Sequence, residues 1–414
     1  MIPAANANYS WRDLPSGIWA LGFVSMLMDI SSEMIHSLLP VYLVTVLGTS
    51  MLTVGIVEGI AEATASVTKI FSGALSDWLG KRKFLAVLGY GLAAITKPVF
   101  PLAPNVAWLV AARFVDRIGK GIRDAPRDAL VADITPPHLR GASFGLRQSL
   151  DTVGAFVGPL AAIGLMWLTA NHFTAVFWVA VVPAFLALAL IVFAVHEPER
   201  PAGLRVVRAP LSFAELRRLG SSFWWVVAVA TLFTLARFSE AFLVLRAQSV
   251  GLPIMLVPAV MVLMNIVYAL AAYPAGVLSD KVDRLTVLAF GIVLLGAADA
   301  VLGLASGVVG AAVGVALWGL HMGFTQGLLA TLVADTAPLE LRGTAYGMFN
   351  LLGGGAMLAA SVIAGVLWDM FGPAGTFAAG ATFSILALAG LSAVRRKIGG
   401  GTLASAGPVA QRRG

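Results

Sequence analysis

The chain contains no cysteine, and charged residues make up only 12% of its 414 residues. The absence of cysteine excludes a disulfide framework and any metal site that depends on thiolate ligands. The five histidines are scattered, which disfavours a structural zinc site, and we expect neither a metal nor another cofactor. The charged fraction is roughly half that of a soluble protein, so an ordinary water-exposed surface is excluded.

Hydrophobic residues supply 59% of the chain, and the mean hydropathy is +0.89. These values predict an integral membrane protein. The net charge of +7 is compatible with a nucleic-acid partner, but the basic residues are placed as membrane topology requires. The first hydrophobic segment lacks the basic region and cleavage site of a secretory signal, so we expect it to be retained.

Apolar stretches of about 20 residues have the length of a membrane-crossing helix, and the chain contains twelve of them. We place the spans at residues 17–46, 53–76, 84–102, 106–131, 140–169, 173–195, 221–248, 254–279, 285–305, 308–335, 342–369 and 374–394.

The connections between these spans alternate in charge. Basic residues such as Lys81, Arg140 and Lys281 fall on one side. The connections on the other side, including residues 170–172 and 370–373, contain no lysine or arginine. The positive-inside rule therefore predicts that both termini are cytoplasmic. We expect a multi-pass protein of a bacterial-type inner membrane.

An internal repeat divides the chain into two halves. The segment from Val131 to Gly141 recurs in part from Val333 to Gly343, an offset of 202 residues. Gly73–Asp77 likewise recurs in part as Gly276–Asp280, an offset of 203. Two matching segments at nearly one spacing indicate duplicated six-helix halves. We expect an all-α integral membrane protein with twelve transmembrane helices in two pseudo-symmetric six-helix bundles. The expected divisions are bundles 1–196 and 221–396, a cytoplasmic linker 197–220 and a cytoplasmic tail 397–414.

The fourth expected span carries many charges for a helix inside a membrane. Each charge at bilayer depth costs at least ~2.5 kcal/mol, so these side chains must face water or opposite charges. The span therefore predicts a polar pathway. The charges are Arg113, Asp116, Arg117, Lys120, Arg123, Asp124, Arg127 and Asp128.

The connection after the second span reads Gly-Ala-Leu-Ser-Asp-Trp-Leu-Gly-Lys-Arg-Lys from Gly73 to Lys83. It resembles the loop signature of the major facilitator superfamily, and the resemblance extends over essentially the whole chain. It implies a twelve-helix secondary transporter in which this loop is a conformational latch. In the second copy, Asp283 stands where the loop glycine is expected. The residues with an expected gating role are Gly73, Asp77, Gly80, Lys81, Arg82, Gly276, Asp280 and Arg284.

Two further motifs extend the resemblance. Residues 117–121, Arg-Ile-Gly-Lys-Gly, are similar to the superfamily's Arg-x-x-Gln-Gly pattern, in which an arginine is thought to tune a carboxylate in proton-coupled members. The Gly154-x-x-x-Gly158-Pro159 sequence of the fifth span resembles the motif of exporters and antiporters. Two glycines four residues apart permit close helix contact and the proline permits a bend, so we expect gating roles for all three.

Asp29 and Glu33 lie near the expected midplane on one face of the first span. A carboxylate there changes its proton affinity as its pairing and its access to water change. We expect Asp29 and Glu33 to carry protons and Arg117 to tune them. A structural ion-pair network is the alternative for most other charges, because seven deep acids face six deep bases in this half.

The remaining charges are candidates for contacts with a solute. Arg237 and Glu240 are three residues apart in the seventh span, and they either pair with each other or line a cavity. The candidate substrate-binding residues are His36, Arg113, Lys120, Arg123, Asp151, Arg237 and Glu240.

We expect a monomeric secondary active transporter, not an enzyme, that moves a small organic solute by alternating access, with proton-coupled export as the favoured mode. Uptake or exchange of an anionic metabolite is an alternative, with Arg113, Lys120 and Arg123 as binding groups. An intramembrane lipid-modifying enzyme is an alternative of another class. No nucleotide-binding loop is present, which disfavours transport driven by ATP on this chain. The expected partners are the solute, protons and the lipid bilayer, without nucleic acid.

Overall fold

The computed structural model describes residues 14–136, 139–198, 216, 218–338 and 341–399, and every regular element in these ranges is a helix. Ten helical segments of the described chain are long and apolar enough to cross a membrane. One of them, Thr344–Ala393, has 50 residues, enough for two crossings, and the charged fourth helix lies outside the ten. The structure is consistent with the twelve spans expected.

The helices of the amino half follow the expected spans closely. Helices α1 and α3 are each interrupted in their second half, at Ser37 and at Lys97–Pro98. The bounds are α1 (Ser16–His36 and Leu39–Thr45), α2 (Met51–Leu79), α3 (Arg82–Thr96 and Val99–Leu102), α4 (Val106–Ile134), α5 (Arg140–Leu168) and α6 (Phe173–Ala194).

The carboxyl half repeats this pattern. One continuous helical segment, Arg342–Gly399, changes direction at Gly372, whose φ of 72° lies in the left-handed region, and we treat its two parts as α11 and α12. The bounds are α7 (Ser221–Ala236 and Ala241–Ser249), α8 (Ala259–Lys281), α9 (Arg284–Leu304), α10 (Val308–Thr336), α11 (342–371) and α12 (373–399).

Short polar residues set several helix ends. The Ser50 side chain accepts a hydrogen bond from the Thr53 amide at the start of α2, and Gly80 ends that helix with a φ of 65°. Asp283 has a different role from the glycine expected in the second copy of the loop, because its carboxylate accepts from the Thr286 amide and caps α9. The two copies of the loop therefore use different turn chemistry.

The repeat seen in the sequence is also a structural repeat. Helices α3 and α9, and helices α4 and α10, are related by 202 residues at both ends. The packing is repeated as well, because α4 lies against α2 and α3 as α10 lies against α8 and α9. The domain boundaries stay a prediction. Residues 199–215 and 217 of the expected linker, and 400–414 of the expected tail, lie outside the described residues.

The two halves are joined more tightly at one end of the bundle than at the other. We call the end that holds Lys81, Arg82 and Lys83 the basic end, and the opposite end, which holds Gly48 and Gly372, the neutral end. One buried apolar cluster includes residues of both halves, such as Leu39 and Phe242, toward the neutral end.

At the basic end the described residues form separate apolar clusters in each half. A Cβ atom added at Gly141, Gly145 or Gly276 would meet nothing within 4 Å. Buried apolar packing therefore joins the halves toward the neutral end and is divided between them at the basic end.

Candidate functional site

The charges of α4 point into the protein. Arg113, Asp116, Arg117 and Arg123 are only 2–4% exposed. The helix therefore presents them to neighbouring helices of the amino half and not to lipid, as their cost in hydrocarbon requires.

A chain of four ionisable residues connects α4 to α1 through α2. The Arg113 guanidinium donates to Glu58 Oε2 at 2.9 Å. His36 Nε2 lies 3.4 Å from the same oxygen, and His36 Nδ1 lies 3.6 Å from Glu33 Oε2. The imidazole of His36 therefore stands between two carboxylates of different helices.

A second set of pairs lies beside this chain. Arg117 Nη1 is 3.4 Å from Glu62 Oε1, and Glu62 is 39% exposed, which is the most open of these carboxylates. Lys97 Nζ donates to Asp116 Oδ1 at 2.9 Å and to Ser32 Oγ at 3.1 Å. Lys97 is a residue that our count of deep bases omitted, although a lysine inside an apolar span is visible in the sequence.

Toward the basic end, the expected substrate-binding residues Arg123 and Asp151 have structural contacts. The Arg123 guanidinium carbon lies 4.8 Å from the centre of the Tyr90 ring, a cation–π contact. Asp151 accepts a hydrogen bond from Arg147, which also lies 3.6 Å from Asp128. These contacts extend the ion-pair network along the amino half.

A polar cavity of about 230 Å³ lies between the two halves. Its walls come from helices of both halves, so it occupies the central position that alternating access requires. The lining residues are Glu33, His36, Glu58, Glu62, Arg117, Lys120, Ala155, Arg237, Phe238, Ser239, Glu240, Met261, Asn265 and Met357.

Some of the residues predicted to form the site line this cavity, and others do not. Of the expected proton-coupling and substrate-binding residues, those in its walls are Glu33, His36, Arg117, Lys120, Arg237 and Glu240. Asp29, Arg113, Arg123 and Asp151 are not among its lining residues. Arg237 and Glu240, for which two interpretations were open, form no ion pair with each other within the described chain and both line the cavity.

Helix breaks at equivalent positions bring backbone and charge to the cavity. The break of α1 follows His36, and the break of α7 lies between Arg237 and Glu240. The Ser239 amide, freed from the helical pattern, donates to Ser361 Oγ of α11 at 3.2 Å. An interrupted helix leaves backbone groups without helical partners, so such breaks occur where protein or a cavity can satisfy them.

The two glycines of the fifth-helix motif pack against the acidic turns of α1. A Cβ atom at Gly154 would lie 2.6 Å from Met26 O and 2.9 Å from Asp29 Cβ. At Gly158 it would lie 2.7 Å from Glu33 Cβ. The expected gating motif therefore touches the backbone segment that carries both expected proton carriers.

The loop after α2 makes contacts inside the amino half. Arg82 Nη1 lies 2.7 Å from Asp133 Oδ2 of α4, and the Arg82 amide donates to Glu197 Oε1 at 2.6 Å. Gly73 approaches Ala125 of α4, with 3.5 Å between a built Cβ and the alanine Cβ. The side chains of Asp77 and Asp280, both expected to gate, lie outside the described residues.

The carboxyl half contains a buried acid that sequence reasoning overlooked. Asp299 of α9 is 0% exposed, and neither carboxylate oxygen has a hydrogen-bond partner among the described residues. It packs against α12, where a Cβ atom at Gly380 would lie 2.5 Å from Asp299 Oδ2. An acidic residue inside an otherwise apolar span is visible in the sequence, so Asp299 could have been identified there as a candidate buried acid.

The family model of the Major Facilitator Superfamily matches residues 21–361 and 244–405 of the chain. The chain belongs to the Major Facilitator Superfamily. It is accordingly a membrane transporter of the secondary type. An uncharacterized MFS-type transporter of Methanocaldococcus jannaschii is 32% identical over 387 residues, covering 92% of this chain and 95% of that protein.

Some other relatives of this superfamily member match over a shorter length or by fold alone. Multidrug resistance protein MdtH of Edwardsiella ictaluri is 31% identical over 201 residues, 47% of this chain and 49% of that protein. A bacterial homologue of the human lysosomal transporter Spinster, in an inward-facing and unoccupied conformation, superposes with a TM-score of 0.72 at 18% identity, covering 92% of this chain and 96% of that one.

A POT family transporter in complex with a thioalcohol-conjugated peptide gives a TM-score of 0.79 at 14% identity, covering 94% of this chain and 98% of that one. At such identities, these solved structures show the fold of the superfamily member and nothing of its solute.

Proposed function

We propose that the protein exports a small organic solute in exchange for protons, by alternating access, with the basic end in the cytoplasm. The observation that supports this best is the position of His36 between Glu33 and Glu58 in the wall of the cavity. A carboxylate–imidazole–carboxylate arrangement offers neighbouring sites for one proton, and water reaches it through the cavity.

The exchange works through the pairing of these groups. When the cavity faces the outside, a proton binds Glu33 and neutralises its carboxylate, which weakens the attraction between Glu33 and protonated His36. When the cavity faces the basic end, the solute binds and the proton leaves to the cytoplasm. Arg117, in the same wall and paired with Glu62, adds a positive charge that favours release.

The direction of transport is supported by two observations. The glycine motif typical of exporters packs on the α1 turns that carry Asp29 and Glu33, so movement of α5 is coupled to those acids. One group of partial relatives is named for multidrug resistance. We further propose a monomer in a bacterial-type inner membrane, with both termini cytoplasmic.

The alternative, exchange of an anionic metabolite, is favoured by a separate observation. Lys120 and Arg237 line the cavity without an ion pair to any described residue. Arg113 and Arg123, which we also expected to bind an anion, are engaged with Glu58 and Tyr90 instead. An anion site therefore involves Lys120 and Arg237.

Proton movement in liposomes tests the proposal. The purified protein is reconstituted in vesicles that enclose a pH-sensitive dye, and organic cations, anions and zwitterions are added in turn. We expect at least one class of solute to move protons in the opposite direction, and Glu33→Gln to abolish this movement. Asp299→Asn, which changes a buried acid of α9 outside the cavity lining, is the matched control. Solute flux that is independent of the pH gradient would refute proton coupling.

A further inference from the structure

The charged residues of the cavity fall into two groups when their contacts are compared. The first group has partners of opposite charge. Glu58 is bonded to Arg113 and lies near His36, Glu62 lies 3.4 Å from Arg117, and Glu33 lies 3.6 Å from His36. With His36 protonated, these three carboxylates and three cations balance each other within the amino half, so a solute is not needed to compensate them.

The second group has no partner. Lys120, Arg237 and Glu240 line the same cavity, each is half-buried, and none of their side chains forms an ion pair or hydrogen bond with a described residue. Lys120 comes from α4 of the amino half, whereas Arg237 and Glu240 flank the break of α7 in the carboxyl half. The unpaired groups therefore face each other across the boundary between the two halves.

Unpaired charges at this depth have an energetic consequence. A charged side chain partly removed from water loses hydration energy, and it recovers the loss when an opposite charge with good hydrogen-bond geometry arrives. Two cations and one carboxylate are left without a direct partner, which matches a ligand with an acidic group and an amine. A purely cationic solute leaves Lys120 and Arg237 unpaired.

The rest of the lining limits size and shape. Phe238, Met261 and Met357 supply an apolar wall, and Asn265 supplies an amide. The volume of about 230 Å³ is below the roughly 300–1,000 Å³ of pockets for drug-sized ligands. Flexible methionines adapt to different apolar groups, so the wall does not require one particular side chain.

We propose that the transported solute is a small amphoteric molecule whose acidic group binds Lys120 and Arg237, whose protonated amine binds Glu240, and whose apolar part contacts Phe238 and the two methionines. This inference rests on the proposed transport of solute through the cavity, and it does not depend on which ion drives the transport.

Matched ligands test this assignment in thermal unfolding of the purified protein. Glycine, leucine and phenylalanine are each compared as the free amino acid, the N-acetyl derivative, which lacks the amine charge, and the methyl ester, which lacks the acid. We expect at least one free amino acid to raise the melting temperature more than both of its derivatives. Stabilisation by the esters alone, by the N-acetyl derivatives alone, or by no free amino acid would overturn the proposal.

Substitutions test which group of the ligand each charged side chain binds. Lys120→Gln should weaken binding of the free amino acid at least about tenfold, because one partner of a charge pair is lost. Glu240→Gln should remove the preference for the free amino acid over its N-acetyl derivative. Lys69→Gln, at an exposed lysine of α2, is the control and should leave both unchanged. Equal effects of all three variants would overturn the assignment.

Binding of a free amino acid without proton movement would leave this inference standing and refute the proton-coupled function.

Discussion

Lys97 and Asp299 occupy equivalent positions in the two halves of the protein, 202 residues apart in α3 and α9. Lys97 is 2% exposed and donates to Asp116 and Ser32. Asp299 is 0% exposed, and its carboxylate oxygens have no partner among the described residues. One buried position therefore holds a paired cation in the amino half and an unpartnered acid in the carboxyl half.

This difference predicts different responses to neutral substitutions. Asp116→Asn leaves Lys97 buried without its counter-charge and should destabilise the protein by about 3–5 kcal/mol. Asp299→Asn removes no ion pair, so its melting temperature in detergent should stay close to that of the wild type. Lys97→Met combined with Asp116→Leu removes both partners and should recover stability relative to Asp116→Asn. An equal loss of stability in Asp116→Asn and Asp299→Asn would contradict this account.

The positions of the helices were predictable because hydrophobic length and loop charge are local properties. The fourth span, expected at 106–131, is the helix Val106–Ile134, and the seventh, expected at 221–248, runs from Ser221 to Ser249. The interruption of α7 between these bounds was not predicted. It arises from contacts such as that of the Ser239 amide with Ser361, which lies 122 residues away in the chain.

The pairing of charges was less accessible from the sequence. Arg113 and Lys120 were both expected to bind a solute, yet Arg113 is bonded to Glu58, and the Lys120 side chain has no hydrogen-bond or ion-pair partner in the described chain. Helical periodicity gives the angle between residues of one helix, but it does not give the rotation of neighbouring helices. When Lys97 is included in the count, seven deep acids face seven deep bases, which fits the ion-pair network.

The close contact of α5 with α1 leads us to a prediction about transport. Gly154→Ala and Gly158→Ala each place a methyl group against α1 and should cost about 1–3 kcal/mol through overpacking. Because the displaced segment carries Asp29 and Glu33, we expect proton-linked flux to fall more than protein yield. Gly145→Ala and Gly164→Ala, in the same helix with nothing within 4 Å, are the controls for flux in vesicles. Normal flux in both motif variants would rule out this coupling.

The ion pair between Arg82 and Asp133 makes a prediction about the loop at the basic end. The pair is partly exposed, with side chains 15% and 26% accessible, so its loss should change stability by about 1 kcal/mol or less. If the loop is a conformational latch, Arg82→Asp and Asp133→Arg should each slow transport, and the charge-swapped double variant should recover part of the rate. Lys83→Gln, which lacks this ion pair, is the control. No recovery in the double variant would argue against a latch formed by this pair.

The carboxylate of Asp369 links the two halves at the neutral end. Asp369, near the end of α11, accepts from the Met51 amide at 3.0 Å and from the Leu52 amide at 2.9 Å, at the start of α2. A carboxylate at a helix amino terminus is stabilised by the free amides and by the helix dipole. Here the cap and the helix belong to different halves, so the interaction exists only while the neutral end is closed. We therefore expect Asp369→Asn to increase opening of that end.

Spin labels measure this opening directly, because the chain has no native cysteine to interfere. Leu102 and Leu304 end α3 and α9 and are 65% and 85% exposed, so each accepts a cysteine and a label without loss of packing. In Asp369→Asn the distribution of distances between these labels should gain a longer component. Asp283→Asn removes a carboxylate cap within one half, at α9, and should leave the distribution unchanged. If both variants gave the wild-type distribution, the cap of α2 by Asp369 would have no part in closing the neutral end.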